Sequence, residues 1–461
     1  MEPCSLKFVA AACAAKLKFG SADTLIQRAC TDSRQARAGD LFFAIQGEHF
    51  DGHDFLREVA AGGVPAVVVE RKKIRVHPPG CAVLEVDGTR AALGRFAAAY
   101  RLKFDLPVVC VGGSNGKTTV KELIASALRQ KLATLWSEAS FNNDIGVPLT
   151  LLRLEKSHQA AVLEAGTNHP GELASLVKII RPKYGVITNI GREHLEFFGD
   201  LAGVAREEGA LAELLPEDGR LFVNGDNEWT EKIVRRARAG AIRVGLGERN
   251  DWRAKKIRPD KNGVTFHVAA PKMDWNGEYR VNLLGRHQVT NALLAMAVSE
   301  ELGLGRPAVR DGLAECKPAK MRLQFWESGG VRVLDDTYNA NADSALAALE
   351  TLCDLPLQGR RVAVLGDMNE LGAHSEAAHA EVGRRAAELG IGQLFAVGKM
   401  APVTARAARD AGLARVIEFG DIEAAVKAVR SFLKTGDVVL LKASRAARLE
   451  RIAETLRAAK S

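Results

Sequence analysis

The sequence predicts an α/β protein of three domains, and its length, its composition and its alternation of elements all indicate this class. The chain has 461 residues, and at about 150 residues per domain that length corresponds to about three domains. Hydrophobic residues make up 47% of the chain and charged residues 26%, which excludes disordered, collagen-like and disulfide-framework classes. Short apolar runs alternate with helical patterns, which is typical of parallel sheets with crossover helices.

Composition also predicts the compartment and the kind of partner. No window approaches about 18 uninterrupted apolar residues, so we expect no membrane-spanning segment. The apolar run at residues 8–15 is closed by Lys16 and Lys18 and is better interpreted as a first helix than as a signal peptide. Seven cysteines without a C-x-x-C pair argue against disulfides and a zinc site and favour the cytoplasm. The net charge of +8 lacks a dense basic tract, so we expect small polyanions rather than nucleic acid as partners.

Three stretches with different patterns define the predicted domains, at residues 1–105, 106–318 and 319–461. The first stretch combines apolar runs at residues 40–45 and 64–69 with an Ala-rich helix at residues 89–101. The other two stretches each contain β-branched runs followed by turns and helical patterns. These runs are residues 107–111, 160–163, 184–187 and 220–223 in the second stretch, and 331–334, 361–365, 393–397 and 437–441 in the third.

A phosphate-binding loop follows the first run of the second domain. Residues 112–119 read Gly-Gly-Ser-Asn-Gly-Lys-Thr-Thr and lead into a helical pattern. Glycines allow backbone N–H groups to surround phosphate oxygens, Lys117 adds a positive charge, and Thr118 can bind Mg2+. A Gly-rich turn without function is the alternative, but strand, loop, Lys-Thr-Thr and helix occur in the order that a phosphate site requires.

Polar residues follow the neighbouring runs, where ligands of parallel sheets are expected. Glu164 ends the run at 160–163, and His194 follows the run at 184–187. Either residue alone is more often a satisfied loop side chain than a metal ligand. The adjacent phosphate loop favours the metal interpretation, although Mg2+ prefers oxygen ligands, so the histidine would orient the site or serve a second ion.

Two loops of the third domain and one helix start add further candidates. Residues 335–341 and 365–372 place acids and amides after consecutive apolar runs, which favours a second ligand-facing surface over solvated loops. Asn291 lies in the segment that opens an Ala/Leu-rich helix, where its amide is a weak candidate for reading a nucleotide base.

Together these motifs resemble the Mur ligase family of peptidoglycan synthesis, over nearly the whole chain. The resemblance is carried by Gly113 to Thr119 with Glu164 and His194, and by residues 31–34, 39–48, 51–55, 142–149, 335–341 and 365–372. It implies an N-terminal domain for a UDP-sugar, a central ATPase domain and a Rossmann-like C-terminal domain. The pattern at 335–341 is similar to that of the family members that add D-alanyl-D-alanine to UDP-N-acetylmuramoyl-tripeptide through an acyl phosphate. The resemblance also implies a cytoplasmic and monomeric enzyme.

The resemblance implies a role for each matching residue. The ATP-binding residues would be Gly113, Ser114, Asn115, Gly116, Lys117, Thr118, Thr119, Asn291, Arg322, Asp336 and Asn339. The substrate-binding residues would be Ser33, Arg34, Asn142, Asn143, Thr167, Asn168, Lys442, Ser444 and Arg445. Lys117, Glu164 and His194 would be catalytic, and Thr118, Glu164, His194 and Glu208 would hold Mg2+.

One departure from the family pattern concerns the proposed metal site; another is Ala443, which stands where the family commonly has Gly. Mur ligases usually carry a lysine, carbamylated by CO2, on the helix after the His194 loop, but this chain has no lysine between Lys183 and Lys232. The aligned position is Glu208. Our hypothesis is that Glu208 supplies the carboxylate directly, so that activity does not depend on bicarbonate.

Three other functions are considered. A tripeptide-forming ligase of the same family typically shows aspartate, tyrosine and histidine where this chain has residues 335–341, and a folylpolyglutamate synthase is a further relative. A nucleotide switch that hydrolyses ATP without joining substrates is less consistent with polar strand ends in two additional domains. Phosphate release that requires both substrates would separate a ligase from a switch.

Overall fold

Helices and strands occupy the positions that the apolar runs predict, to within a few residues. The computed structural model describes residues 1–73 and 77–458; the last three residues of the predicted third domain lie outside them. The elements of the first part of the chain are β1 (Cys4–Ser5), α1 (Leu6–Cys13), β2 (Lys16–Phe19), β3 (Leu25–Ile26), β4 (Arg28–Cys30), β5 (Asp40–Phe43), α2 (Leu56–Ala61), β6 (Ala66–Glu70), β7 (Ala82–Val86) and α3 (Thr89–Arg101).

The middle of the chain continues the alternation. Its elements are β8 (Val108–Gly112), α4 (Lys117–Leu128), β9 (Thr134–Trp136), α5 (Gly146–Leu151), β10 (Ala160–Glu164), α6 (Glu172–Ile180), β11 (Tyr184–Ile187), α7 (Leu195–Phe198), α8 (Leu201–Glu213), β12 (Arg220–Asn224), α9 (Thr230–Val234), β13 (Gly240–Gly245), β14 (Trp252–Asp260), β15 (Gly263–Ala269), β16 (Gly277–Val281), α10 (Gln288–Glu301) and α11 (Arg306–Glu315).

The last part of the chain repeats the pattern. Its elements are β17 (Gln324–Ser328), β18 (Val331–Asp336), α12 (Ala342–Asp354), β19 (Arg361–Gly366), α13 (Ser375–Glu388), β20 (Gln393–Val397), α14 (Ala401–Asp410), β21 (Val416–Phe419), α15 (Ile422–Phe432), β22 (Val438–Lys442) and α16 (Glu450–Ala458). Among the helices of the described residues, none is both long and apolar enough to cross a membrane.

The chain divides into two compact units, the first of which holds residues 1–111, 132–167 and 172–184. One sheet of this unit has the order β2-β7-β6-β5-β4, with parallel pairing from β4 to β7 and β2 antiparallel at the edge. Its core contains Phe42, Val67 and Val83, as expected for apolar runs buried on both faces. β8, β10 and β9 also pair in parallel, and Glu164 lies opposite Val111.

The second unit holds residues 112–131, 168–171 and 185–461. Within it, β12, β13 and β14 pair in parallel, and β14, β15 and β16 form an antiparallel extension. The Ala/Leu-rich helix α10 is buried along most of its length, because apolar residues on all its faces require packing on every side. These parallel sheets with interleaved helices confirm the predicted α/β class.

A second sheet of this unit has the order β17-β18-β22-β19-β20-β21, with only β17 antiparallel. β18 and β19, the strands before residues 335–341 and 365–372, are consecutive along the chain as predicted, but β22 lies between them in the sheet. The acids also lie inside the strand end rather than after it, because Asp335 and Asp336 pair with Leu441 and Lys442. The end of β22 therefore lies beside both loops.

Candidate active site

The phosphate loop follows β8 and has a backbone that requires glycine at two positions. Gly113 has φ +104° and Gly116 has φ +88°, conformations that L-residues rarely adopt. A Cβ at Gly113 would lie 2.4 Å from Thr188 Oγ1, and one at Gly116 would lie 2.9 Å from Asn291 Oδ1. Helix α4 starts at Lys117, so the loop ends at a helix N-terminus that favours anions.

The side chain of Lys117 folds back over this loop. Its Nζ lies 2.5 Å from the carbonyl oxygen of Gly113, 3.2 Å from that of Ser114 and 3.2 Å from Glu193 Oε2. Glu193 is 6% exposed. The acid beside His194 therefore balances the lysine charge. Glu193 is not among the predicted site residues, although it stands in the same short segment as His194.

Hydrogen bonds connect the loop after β11 to the phosphate loop. Asn189 accepts from the N–H of Ser114 with its carbonyl oxygen, at 2.9 Å, and from the N–H of Asn115 with its Oδ1, at 2.8 Å. The hydroxyl of Ser114 accepts from the N–H of Gly191 at 2.8 Å. These bonds fix the position of the segment that carries Glu193 and His194 relative to the phosphate loop.

Glu208 reaches the phosphate loop from helix α8. It is 1% exposed, and its Oε2 accepts from the N–H of Gly113 at 2.6 Å. Its Oε1 is buried and has no hydrogen-bond partner among the described residues. Burial, and then the charge of Glu193, raise the pKa of Glu208 to about 8, while the charge of Lys117 acts in the opposite direction. The structure thus brings the carboxylate of Glu208 beside the phosphate loop.

His194 begins helix α7 and contacts the predicted third domain. Its Nδ1 lies 2.6 Å from Glu370 Oε2, and this close approach of the His194 ring is the main cause that lowers the pKa of Glu370. Two residues earlier in the same loop, Arg192 pairs with Asp343 at 2.8 Å and with Glu381. His194 is a predicted site residue and Glu370 lies in the predicted loop 365–372, whereas Asp343 and Glu381 are not among the predicted residues.

The other predicted nucleotide residues of this unit lie in two groups. Thr118 is buried on α4, and Asn291 is 8% exposed on α10, where it donates to Gln288 Oε1 at 2.9 Å. Just before β17, the guanidinium of Arg322 lies 4.2 Å from the ring centre of Tyr338. Asn341, two residues after the predicted Asn339, donates to Asn115 Oδ1 at 3.0 Å. Thr119 is partly buried and Asn339 is exposed.

Lys442 and Ser444 use their polar atoms inside the fold. Lys442 is 4% exposed, and its Nζ lies 2.7 Å from Asp336 Oδ2 and donates to the carbonyl oxygen of Asn339 at 2.7 Å. Ser444 Oγ donates to the carbonyl oxygen of Ala340 at 3.1 Å and accepts from the N–H of Asn369 at 2.9 Å. Hydrogen bonds of Lys442 and Ser444 therefore connect the end of β22 to the loops that follow β18 and β19. Arg445, by contrast, is largely exposed and lies 3.4 Å from Glu450.

In the first unit, the structure brings Asn142 and Glu164 together. Asn142 Nδ2 donates to Glu164 Oε1 at 2.8 Å, and the N–H of Glu164 donates to Ser137 Oγ at 3.1 Å. Glu164 Oε2 is buried without a hydrogen-bond partner in the described part of the chain. Asn143 Oδ1 accepts from the N–H of Gly146 at 2.9 Å, at the start of α5. Thr167 is buried.

The remaining predicted substrate-binding residues of the first two predicted domains are Ser33, Arg34 and Asn168. Ser33 and Arg34 follow β4 in the first unit, where Asp32 accepts from the guanidinium of Arg34 at 2.9 Å. These hydrogen bonds lower the pKa of Asp32 to about 2, despite some desolvation. Asn168 is exposed in the second unit, in a loop whose Gly171 N–H donates to Glu207 Oε2 at 2.7 Å.

Family models match three parts of the chain. The Mur ligase family catalytic domain matches residues 26–101, the Mur ligase middle domain matches residues 111–299, and the Mur ligase glutamate ligase domain matches residues 321–445. The chain therefore has a parallel α/β fold with a phosphate loop, and it contains all three domains of the Mur ligase family. The chain belongs to the Mur ligase family.

Relatives within this family cover nearly the whole chain. UDP-N-acetylmuramoyl-tripeptide–D-alanyl-D-alanine ligase of Escherichia coli is 37% identical over 94% of this chain and 94% of its own length. The crystal structure of MurF from Acinetobacter baumannii has a TM-score of 0.90 at 33% identity and covers 99% of both chains. MurF ligase from Thermotoga maritima in complex with ADP has a TM-score of 0.82 at 29% identity, covering 94% of this chain and 97% of its own.

Proposed function

We propose that the protein is an ATP-dependent ligase that joins D-alanyl-D-alanine to UDP-N-acetylmuramoyl-tripeptide and so forms the UDP-muramoyl-pentapeptide precursor of peptidoglycan. The observation that carries this proposal is the 37% identity, over 94% of the chain, to the Escherichia coli enzyme of that activity. The glycine-dependent phosphate loop with Lys117 supports it, because the reaction consumes a nucleoside triphosphate.

The chemistry requires activation of a carboxylate, since a carboxylate is a poor electrophile in water. The terminal carboxylate of the tripeptide attacks the γ-phosphorus of ATP, the bond from that phosphorus to the β–γ bridging oxygen breaks, and ADP leaves as the acyl phosphate forms. The amine of D-alanyl-D-alanine then attacks the acyl carbon, and phosphate leaves. The chain's contribution is charge neutralisation and positioning, as is usual for phosphoryl transfer, and no protein nucleophile is needed.

Within this scheme, the phosphate loop binds the triphosphate. Lys117 leaves the carboxylate of Glu193 and the loop carbonyls and contacts the β- and γ-phosphates. Residues 113–119 surround the phosphates, with the α4 N-terminus directed at them. The remaining nucleotide contacts that we propose are Asn291 at the adenine and Arg322, Asp336 and Asn339 from the C-terminal sheet.

The carboxylates among the residues proposed for Mg2+ fit a hard cation. Buried oxygens of Glu164 and Glu208 have no hydrogen-bond partner among the described residues, and carboxylate oxygens are ligands that Mg2+ prefers. Thr118 and Glu164 would hold one ion, and His194 and Glu208 a second. When bound, Mg2+ would neutralise the charge of the transferring phosphoryl group. Within the described ranges, no three His, Cys, Asp or Glu side chains form a metal-binding group by themselves, so the nucleotide would supply the remaining ligands.

Substrate binding and domain boundaries complete the proposal. Ser33 and Arg34 would contact the uridine nucleotide. The muramoyl-peptide contacts would be Asn142, Asn143, Thr167 and Asn168, with Lys442, Ser444 and Arg445 on the C-terminal side.

The three domains would span residues 1–105, 106–318 and 319–461, which is supported by the three family-model ranges. A cytoplasmic, monomeric enzyme remains part of the proposal.

Phosphate release with defined substrates tests this function. The wild-type protein should release phosphate from Mg-ATP only when both the UDP-muramoyl tripeptide and D-alanyl-D-alanine are present, and the pentapeptide should be seen by mass spectrometry. Lys117→Ala should abolish release, whereas Lys178→Ala, at an exposed lysine on α6, should retain it. Phosphate release that is independent of the dipeptide would contradict the assignment.

A further inference from the structure

A single arginine in the loop after β11 is bonded to two helices of the last part of the chain. Arg192 donates from Nε to Asp343 Oδ1 at 2.8 Å, and its backbone N–H donates to Asp343 Oδ2 at 2.7 Å. The remaining guanidinium nitrogens donate to the carboxylate of Glu381. Asp343 lies in the first turn of α12, and Glu381 lies on α13. The planar guanidinium, with its several fixed donors, is suited to bridging two carboxylates in this way.

The charges at this bridge are partly shielded from water. The Arg192 side chain is 28% exposed. Burial opposes its positive charge, but hydrogen bonds to Glu381 and Asp343 outweigh that effect and raise its pKa. Because both carboxylates contact one guanidinium, its removal would leave two like charges close together without a cation between them.

The start of α12 also meets the phosphate loop at this place. Asn341, which caps α12, donates from Nδ2 to Asn115 Oδ1 at 3.0 Å. The N–H of Gly191 donates to Ser114 Oγ at 2.8 Å. A Cβ at Gly191 would lie 2.7 Å from Asp343 Oδ2 and 3.2 Å from Asn115 Nδ2. The first turn of α12, the Gly191–Arg192 segment and the phosphate loop are therefore in mutual contact.

We propose that Arg192 is a positioning residue for the nucleotide site, which holds the start of α12 against the phosphate loop. The segment that leads into α12 carries Asp336 and Asn339, two of the nucleotide contacts proposed above. The position of the α12 start therefore determines where these two residues stand relative to the phosphate loop. The inference rests on the proposed function in this respect, because it takes a nucleoside triphosphate as the ligand.

The proposed role predicts an effect on binding rather than on phosphoryl transfer. If α12 is docked in only a fraction of the molecules, the apparent affinity for the nucleotide falls by that fraction. At saturating ATP, the contacts of the nucleotide to both sides hold α12 in place, so the rate of transfer is retained. Loss of Arg192 should therefore raise KM for ATP and leave kcat nearly unchanged, which is the pattern for an interaction made equally in the ground and transition states.

Calorimetric titration of the full chain with Mg-ADP tests the binding effect. Arg192→Met should raise Kd about 5-fold or more, as is usual for coupled sites, and Arg192→Lys should give a smaller increase. Arg385→Met is the matched control. Arg385 pairs with Glu350 on α12 at 3.0 Å and with Glu388 on α13 at 3.2 Å, so it joins the same two helices without reaching the loop after β11. Its loss should leave Kd unchanged.

The double variant Arg192→Met/Asp343→Asn separates one shared contact from two independent effects. Its Kd should rise by less than the product of the two single-variant factors, because both changes act on the same contact. Steady-state rates of the variants should show the increase in KM for ATP with kcat within about twofold of the wild type. Arg192→Lys provides the test if Arg192→Met does not fold.

Four results would each overturn the positioning role. They are an unchanged Kd in a folded Arg192 variant, an equal increase in Arg385→Met, fully multiplicative factors in the double variant, and a loss of kcat at unchanged Kd. A wild type that binds Mg-ADP with the predicted variant effects but forms no pentapeptide would refute the proposed function and leave the role of Arg192 intact. A wild type that does not bind Mg-ADP would overturn both.

Discussion

Glu208 Oε2 accepts a 2.6 Å hydrogen bond from the backbone N–H of Gly113. The carboxylate that we propose in place of the family's carbamylated lysine thus contacts the first turn of the phosphate loop directly, and its other oxygen is buried without a hydrogen-bond partner in the described part of the chain. A fixed acid in this position requires no CO2. The chain's departure from the family pattern therefore leads to a prediction about bicarbonate.

Activity of the wild-type protein should not change when bicarbonate is removed. Glu208→Gln should reduce kcat roughly 100-fold, comparable to the loss of one stabilising group in a preorganised site. Glu208→Lys restores the residue type usual in the family, so its activity should rise when bicarbonate is added. Steady-state rates in degassed and bicarbonate-supplemented buffers measure both effects. A large loss of wild-type activity that bicarbonate restores would contradict the role of Glu208.

Gly113→Ala should destabilise the protein more than Gly412→Ala. Both glycines have positive φ, +104° and +96°, but a Cβ at Gly113 would meet Thr188 whereas one at Gly412 has nothing within 4 Å. Gly412→Ala should therefore cost about 1 to 2 kcal/mol for its backbone conformation alone. Gly113→Ala should cost about 1 to 3 kcal/mol more because of the steric clash. Urea unfolding measures the difference, and equal losses would show that the loop relaxes around the added methyl group.

The buried pair of Lys442 and Asp336 should show strong coupling. Lys442→Met leaves the carboxylate of Asp336 without its cation and should lower the free energy of unfolding by about 3 to 5 kcal/mol, the usual cost of removing one partner of a buried pair. Asp336→Asn in the same chain should recover part of that loss. Arg445→Met, at a largely exposed side chain, serves as the control. Additive losses in the double-mutant cycle would mean that the 2.7 Å contact contributes no coupling.

His379 should make stability depend on pH. Its Nε2 accepts from the N–H of Met368 at 2.9 Å and its Nδ1 lies 2.7 Å from the carbonyl oxygen of Ser375, so the folded protein holds a neutral ring. Burial lowers the pKa of His379. The unfolded chain then binds more protons below about pH 6.5, and the free energy of unfolding should decrease as the pH falls from there through the folded pKa.

Replacing His379 tests this prediction. His379→Gln should reduce the slope of unfolding free energy against pH between about pH 7 and pH 5. Some slope should remain, because burial also lowers the pKa of His287. His49→Gln, at an exposed histidine, should leave the slope unchanged. Chemical denaturation at several pH values gives the slopes, and a wild-type slope in His379→Gln would exclude a contribution from this residue.

Local patterns were sufficient to predict most strands and the phosphate loop. Residues 184–187 and 393–397 form strands with the predicted bounds, because apolar runs between turn residues have few alternatives to burial in a sheet. The loop at 112–119 was recognisable because Gly113 and Gly116 are needed for backbone conformations that other residues avoid. Helix α3 likewise has the predicted bounds, Thr89–Arg101.

Relationships between distant segments were not predictable from those patterns. β22 lies between β18 and β19 because the order of strands in a sheet depends on tertiary packing. Nothing in the apolar run at 437–441 indicates which strands it pairs with. The ion pair of Lys442 with Asp336 follows from that order. The contact of Glu370 with His194 also joins loops far apart in sequence, and an acid in a polar loop has no local feature that distinguishes it from a solvated one.

Isotope transfer tests the central claim of an acyl-phosphate ligase most directly. The UDP-muramoyl tripeptide is labelled with 18O in its terminal carboxylate and incubated with Mg-ATP and D-alanyl-D-alanine. If the carboxylate attacks the γ-phosphorus, each phosphate released with a new amide should carry one 18O atom, as mass spectrometry would show. Unlabelled phosphate, released without pentapeptide, would indicate that water attacks ATP and would contradict the account.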